Sequence, residues 1–455
     1  MKTNTKTAPV PVYNNEGTRV KKLTAEQELN RSVLATFLWE KNAYESGVSI
    51  AERIAELIPK VKAEKVAELA IKARNEYKLR HTPLFIAREM LRHQKHRALV
   101  GYVLENIIQR ADEISEMLAL YWKDGKTPIS NQLKKGLAKA FTRFDEYDLQ
   151  KYNRDSDIKL RDVLFLVHAR PLNKEQEDLW KKLIDDKLDT PNTWETKISA
   201  TKGEGKKDAW TQLLHDKALG GMAFLKNLRN LTEAGVDRQL IKAYFTKVNF
   251  SKVLPFRFIS AAKYAPYLEP ELEKAMMLAI DSLDKLKGKT ALIIDTSPSM
   301  WQSTISEKSE MNRFDAASAL AILARGICED VDIYAFNKQS YSIPPRSGFA
   351  LRDALAKTQD GYSCGGLAVA EANKNGYDRI IVLTDGEWHS SANQSEYGWK
   401  QGNAADIGPS PLTDKAYMIN VSNTKNGVGY GKWTSIDGFS EAVVTYIQAL
   451  EADKE

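Results

Sequence analysis

The chain has 455 residues, 43% hydrophobic and 28% charged, with a formal net charge of +6. That composition excludes wholesale disorder and provides for roughly two to four domains. No apolar run reaches the roughly 18 residues of a membrane helix, and Met1–Lys6 lack the apolar core of a signal peptide. The two cysteines, Cys328 and Cys364, exclude a disulfide framework or a four-cysteine zinc site and fit a reducing compartment.

The charge is unevenly placed. Residues 1–290 carry 52 Lys and Arg against 39 Asp and Glu, whereas residues 291–455 carry 14 against 21. A basic domain is the expected footprint of a nucleic-acid binder; the competing explanation is a mildly basic solvated surface. Residues 1–22 are polar, contain Pro and are expected to form an arm. From 23 to 287 the pattern is helical. Thr24-Ala25-Glu26-Gln27 is a capping box, and Leu29, Val33, Leu34, Phe37 and Leu38 follow at helical spacing. Ser49-Ile50-Ala51-Glu52 is a second such box. Further helices are expected over 62–77, 82–92, 97–120, 129–142, 157–167, 174–186, 208–216, 236–247 and 269–284. Short connections and no strand pattern suggest stacked helix pairs, as in a solenoid.

Residues 288–455 have a different texture. Short apolar strands are expected at Thr290–Asp295, Val331–Phe336, Arg379–Asp385 and Lys415–Val421, with helices at Asn312–Arg325 and Ser440–Leu450. Alternating strands and helices predict a doubly wound parallel sheet, which binds ligands at the carboxyl ends of its strands. Gly386–Asp414 is a long polar stretch, either a functional loop or a disordered one.

The first strand runs into Asp295-Thr296-Ser297-Pro298-Ser299 and the third into Asp385-Gly386. Both aspartates therefore fall on the ligand-binding edge of the sheet. Two carboxylates and the hydroxyls of Ser297 and Ser299 make an all-oxygen donor set that suits Mg²⁺. The bland reading is a Ser-rich turn that caps the next helix. The pattern resembles the metal-ion-dependent adhesion site of von Willebrand factor A domains, over roughly 288–455. The Thr of that motif falls on Ser363, which keeps the hydroxyl and loses the methyl that fixes its rotamer. The resemblance implies a divalent cation with one open position, filled by a carboxylate from a partner, and an adhesive site rather than a catalytic one.

Gly361-Tyr362-Ser363-Cys364-Gly365 also matches a nucleophile elbow. That motif needs an apolar strand just before it, and Ala354–Asp360 is polar or helical. Asp385 and His389 could fill the other triad positions but stand too close together for separate roles. Gly427–Thr434 lacks the spacing of a P-loop and reads as a flexible turn.

Two basic stretches stand out in the helical part. Arg88–Arg97 reads as a solvated face or a phosphate contact. In Lys151–Arg154 and Lys159–Pro171, Leu160, Val163, Leu164 and Val167 hold a helix in the core. Lys151, Arg154, Arg161, His168 and Arg170 are left to face outward or to cap.

Ser49–Ile54, Lys159–Pro171, Phe224–Asn230 and Leu254–Arg257 resemble the TROVE module of the Ro autoantigen family. A TROVE module followed by a von Willebrand A domain is that family's arrangement. The resemblance implies a HEAT-like α-helical ring (23–287) closed by the A domain (288–455), mainly α plus α/β. It implies binding of small noncoding Y-like RNAs on the outer surface and of misfolded structured RNA ends in the central hole. Lys151 and His168 match Y RNA contacts of the family. A basic family position falls near Asp155, of opposite sign, for which Arg154 stands in. Lys226 and Arg229 are expected either near RNA or facing the core.

The expected function is therefore RNA binding in noncoding RNA quality control or processing, without enzymatic activity. The chain is expected to be a cytoplasmic monomer, with no membrane association and with an exoribonuclease as an implied partner. The alternative is a metal-dependent protein-binding module, with Asp295, Ser297, Ser299, Ser363 and Asp385 as ligands and the helices as scaffold.

Overall fold

The computed structural model describes residues 12–13, 19–20, 23–34, 47–153, 155–190, 192–203, 205–251, 253, 255–305, 310–361, 363–388, 410–422, 432–438 and 442–452. Strand β1 (Val12–Tyr13) pairs antiparallel with β2 (Arg19–Val20). The capping box at Thr24 is formed. The Thr24 amide donates to Gln27 Oε1 at 3.1 Å, and the Gln27 amide donates to Thr24 Oγ1 at 3.2 Å. Helix Ala25–Leu34 follows. The expected box at Ser49 is a correction: that helix already begins at Gly47, so Ser49 lies inside it.

Helices Ala63–Asn75, His81–Arg92, Asn131–Phe141, Leu160–Leu166, Lys174–Ile184 and Gly205–His215 stand where apolar periodicity placed them. The helix expected over 97–120 is divided into Val100–Ile107 and Asp112–Tyr121. The cause is Glu113, which is fully buried. Its carboxylate accepts from the amides of Gln109 and Arg110 at 2.8 and 3.1 Å and from the Arg74 guanidinium at 2.7 Å. Free amides thus find a carboxylate there and a new helix starts.

The C-terminal sheet has six strands in the order β5-β4-β3-β6-β7-β8. These are β3 (Leu286–Asp295), β4 (Cys328–Phe336), β5 (Ser340–Ile343), β6 (Arg379–Thr384), β7 (Lys415–Asn420) and β8 (Thr434–Asp437). All neighbours are parallel except the edge pair β4 and β5. The four expected strands are present. β5 and β8 are additional, and each is a four-residue edge strand. Thr434, assigned above to a turn, opens β8; residues 427–431 of that stretch, and 389–409 of the polar stretch, lie outside the described residues.

Both ends of the helical part dock on this α/β domain. Helix Ala25–Leu34 packs against β8, burying Leu29, Val33 and Leu34 almost completely. The buried Arg31 pairs there with the buried Asp437 at 2.8 Å. Nearby, Tyr77 meets Tyr446 edge-on with ring centroids 5.5 Å apart. At the other end, helices Pro255–Tyr264 and Glu269–Asp281 pack on helix Arg313–Ile327. Gly326 allows that approach, because a Cβ there would lie 2.1 Å from Ile280 Cγ2. Lys263 pairs with Asp315, and Glu273 accepts from the Phe349 amide at 2.9 Å. A helical chain whose two ends meet on one domain is closed into a ring.

At roughly 1.5–3 kcal/mol per fully buried aliphatic side chain, apolar burial docks helix Ala25–Leu34, and the Arg31–Asp437 pair fixes its register. Asp437→Ala removes a buried carboxylate from the Arg31 guanidinium and is expected to cost about 3–5 kcal/mol in urea unfolding. The double change Arg31→Met/Asp437→Leu is expected to recover most of that loss. A cost for Asp437→Ala within the range of a surface pair, about 1 kcal/mol or less, would show that the pair does not hold the closure.

Candidate nucleic-acid interface and oxygen-lined edge

Helix Glu146–Tyr152 begins at Asp145, whose carboxylate accepts from the Asp148 amide at 2.8 Å, and ends with Lys151 and Tyr152. Only Leu149 of its seven residues is buried. The other side chains are left for the surface. Lys151 donates to the Tyr147 hydroxyl one turn back at 3.1 Å. Its ammonium lies 5.2 Å from the Tyr147 ring centroid and 5.9 Å from that of Tyr152. The Arg110 guanidinium stands over Tyr152 at 4.5 Å. The hydrogen bond that Lys151 donates to Tyr147 raises the Lys151 pKa, so the cation persists at all physiological pH. No carboxylate lies within ion-pair distance of it among the described residues. Beside Lys151 and Tyr147 opens a cavity of about 210 Å³ that is also lined by Trp194.

The second predicted segment is helix Leu160–Leu166. Leu160, Val163, Leu164 and Val167 are buried, as their spacing requires. His168 follows the helix end with φ of 54°, in the left-handed region that glycine usually fills. Its amide donates to Phe165 O at 3.1 Å, and the Ala169 amide donates to Leu164 O at 3.3 Å. This is the backbone geometry of a helix stop, achieved here with an imidazole that faces solvent. Non-glycine residues in this region are uncommon and cluster at functional sites. Arg170 is exposed beside it. Phe165 and Leu172 are 58% and 72% exposed, an unusual display for large apolar groups. Phe165 escaped the sequence reading, although it falls on the face opposite the four core positions.

The remaining predicted residues divide. Arg161 is held by Asp186 and by Ile184 O at 3.5 Å, so its charge is met inside the fold. Arg154 lies outside the described residues. Asp155 pairs with Lys159 at 3.0 Å. Lys151 and His168 each stand at the carboxyl end of a helix, and helix Lys174–Ile184 packs against both of those helices. Arg88–Arg97 divides: Arg92, Lys95 and Arg97 are exposed, as a solvated face requires, whereas Arg88 and His96 are buried. Arg88 is buried against Glu89 and Asp124, Arg92 also reaches Asp124, and the buried His96 ring is bonded to Val61 O at 3.0 Å. Lys226 and Arg229 face outward rather than into the core. Enclosure by the protein, then the nearby Arg257 charge, lowers the Lys226 pKa. Arg229 pairs with Glu233 at 2.8 Å and lies over the Tyr264 ring.

At the carboxyl edge of the sheet, the five predicted oxygen donors converge. Asp295 ends β3 and is fully buried. One oxygen, Oδ1, accepts from the Ser297 amide at 2.9 Å. The other, Oδ2, accepts from Ser363 Oγ at 3.2 Å and from Thr384 Oγ1 at 2.8 Å. Ser297 Oγ lies 3.2 Å from Ser299 Oγ. The side chain of Ser297 does not cap the five-residue helix that follows, so the capping explanation does not account for it. Burial, reinforced by the neighbouring Asp385 carboxylate, pushes the Asp295 pKa up to about 7. Asp385 is fully buried and pairs with Arg313 at 2.9 Å. Thr384 and Arg313 were not identified from sequence. Thr384 was hidden in the apolar run of β6, and Arg313 at a helix start 72 residues from its partner.

Comparison with known proteins agrees with this architecture. Residues 185–321 match the TROVE domain. The fold is similar to that in the crystal structure of the Deinococcus radiodurans Ro (RSR) protein. The TM-score is 0.65, the sequence identity is 16%, and the alignment covers 95% of this chain and 100% of that one. No curated protein matches the sequence.

Proposed function

We propose that this chain acts as an RNA-binding protein of the Ro/TROVE kind and holds small structured noncoding RNAs on the outer face of its helical ring. Lys151, His168 and Arg170 make the contacts, and single-stranded ends of misfolded RNAs enter the ring. The observation that carries this reading is the partly exposed alternation of cations and aromatic rings at the end of helix Glu146–Tyr152. Arg110, itself paired with Asp112, stands over Tyr152, and Lys151 lies by the Tyr152 and Tyr147 rings with no carboxylate within ion-pair distance among the described residues. Cations neutralise phosphates, and rings stack on unpaired bases. Such a surface suits RNA better than it suits a protein partner.

With about five phosphate contacts to single strand, RNA affinity is expected to fall with salt at a log–log slope of about −3.5. Lys151→Ala is expected to weaken a stem-loop RNA across all sequences and to reduce the slope by about one unit. Fluorescence anisotropy of a labelled stem-loop RNA across a salt series reads both. A slope near zero in the parent protein would contradict the proposal.

A second reading concerns the sheet edge and is compatible with the first. Asp295, Ser297, Ser299, Ser363 and Asp385 would hold a divalent cation, with Mg²⁺ the best match for an all-oxygen set. The donor chemistry fits. Two carboxylates share a dry site, and Arg313 balances one of them. A bound cation would supply a Lewis-acidic centre for a partner's carboxylate. At about a hundred times its Kd, Mg²⁺ is expected to stabilise the protein by about 2.7 kcal/mol, seen as a rise in Tm. Asp295→Asn is expected to abolish that rise while leaving the chelator-treated protein at least as stable as the parent. An Mg²⁺-insensitive Tm in the parent would contradict the metal reading.

A further inference from the structure

The cavity beside Lys151 combines aromatic and polar lining next to a cation. Its volume of about 210 Å³ is on the scale of one small planar group such as a nucleobase. Tyr147 and Trp194 supply aromatic surface on its lining. Trp194 is backed by Trp210, with centroids 5.9 Å apart and planes tilted by 31°, so the indole is a braced platform rather than a loose side chain. The polar lining comes from Asn192, Thr193 and Glu195. Thr193 is already committed, because its hydroxyl accepts from the Thr196 amide at 3.3 Å as a helix cap. Asn192 and Glu195 remain. Neither side chain is hydrogen-bonded among the described residues, so both are available to a ligand.

We propose that this cavity captures one unpaired guanine of a bound RNA, and that Glu195 selects it. The inference rests on the reading that RNA binds at Lys151. Guanine places two donors, N1–H and the N2 amino group, side by side on its Watson–Crick edge. A carboxylate accepts both at once, the geometry of a paired charge-assisted contact. Uracil turns carbonyl oxygens toward the same carboxylate on either side of its single N–H and is repelled. Adenine and cytosine each offer one amino group. The guanine ring stacks between the aromatic walls, which any base would do with similar strength. Discrimination therefore falls to Glu195 and affinity to the rings and the ammonium. Lys151 at the rim holds the flanking phosphate and offsets repulsion between that phosphate and Glu195. The Glu195 charge is near enough to contribute to the raised Lys151 pKa.

The test uses the full chain and three labelled probes: a short uridine oligomer, the same oligomer with one central guanosine, and the same with inosine, which lacks the N2 amino group. Anisotropy at one fixed salt concentration is expected to show the guanosine probe binding about tenfold tighter than uridine alone, the range of one good paired contact to a base. Inosine is expected to fall between them. Glu195→Gln preserves the size of the side chain and is expected to erase most of the guanosine preference without weakening the all-uridine probe. Lys151→Ala is expected to weaken all three probes by a similar factor. Equal binding of the three probes to the parent protein, or a preference retained in Glu195→Gln, would overturn the guanine pocket and leave salt-dependent RNA binding standing. Binding of none of the probes, nor of a stem-loop RNA, would overturn the pocket and the RNA reading together.

Discussion

The closure between Arg31 and Asp437 sets the terms for the rest of the molecule. A stack of helices is open at both ends, and each open end exposes apolar surface that a neighbouring repeat would otherwise cover. Here both ends are covered by one α/β domain. Its last strand, β8, receives the first long helix through Leu29, Val33 and Leu34. Its helix Arg313–Ile327 receives the last two helices of the stack. Apolar contact is non-directional and would tolerate sliding. A buried ion pair does not, since either charge left alone in a dry interface is strongly unfavourable. The register of the closing helix, and with it the curvature of the ring, follows from that constraint.

The same economy of charge separates interior from surface in the helical part. Arg74 is spent on Glu113, Arg80 on Asp112 and Glu116, and Arg88 on Glu89 and Asp124. These pairs stitch successive helices together across 30 to 40 positions in sequence. They also take Arg74 and Arg88 out of solvent and leave Arg80 one-quarter exposed. The basic character of the domain is then expressed at the half-buried Lys151 at a helix end, the exposed Arg170 beyond one, and the exposed Lys226 within helix Gly221–Glu233. Net charge alone does not distinguish these two populations. The α/β domain repeats the pattern at its sheet edge, where Arg313 balances Asp385 and the buried Asp295 is met by hydrogen bonds rather than by a cation.

Long amphipathic helices were legible because each carries enough apolar positions to define a face. Two of the helices that went unrecognised, Glu146–Tyr152 and Trp194–Ala200, have only seven residues, with one buried residue between them. A face that packs against almost nothing leaves no period to read, and these are the helices that frame the pocket beside Lys151. Gly221–Glu233 was a different omission, since Phe224, Leu225, Leu228 and Leu231 do fall at helical spacing and are buried. Pro255 at a helix start was another available signal that went unused. The break before Asp112 could not be read locally, because Glu113 caps the new helix while bound to Arg74, 39 residues away. The donor set at Asp295 was legible because strand ends place it; the charges that regulate it, Arg313 above all, come from elsewhere in the chain.

Ultraviolet crosslinking of the full chain to RNA bound in its native host, followed by identification of the crosslinked peptides, tests the central claim most directly. The account predicts crosslinks concentrated on Tyr147–Tyr152, on Asn192–Glu195 and on Phe165–Arg170, where rings and cations are displayed together. Crosslinks confined to the α/β domain, or scattered evenly over the helical surface, would contradict it.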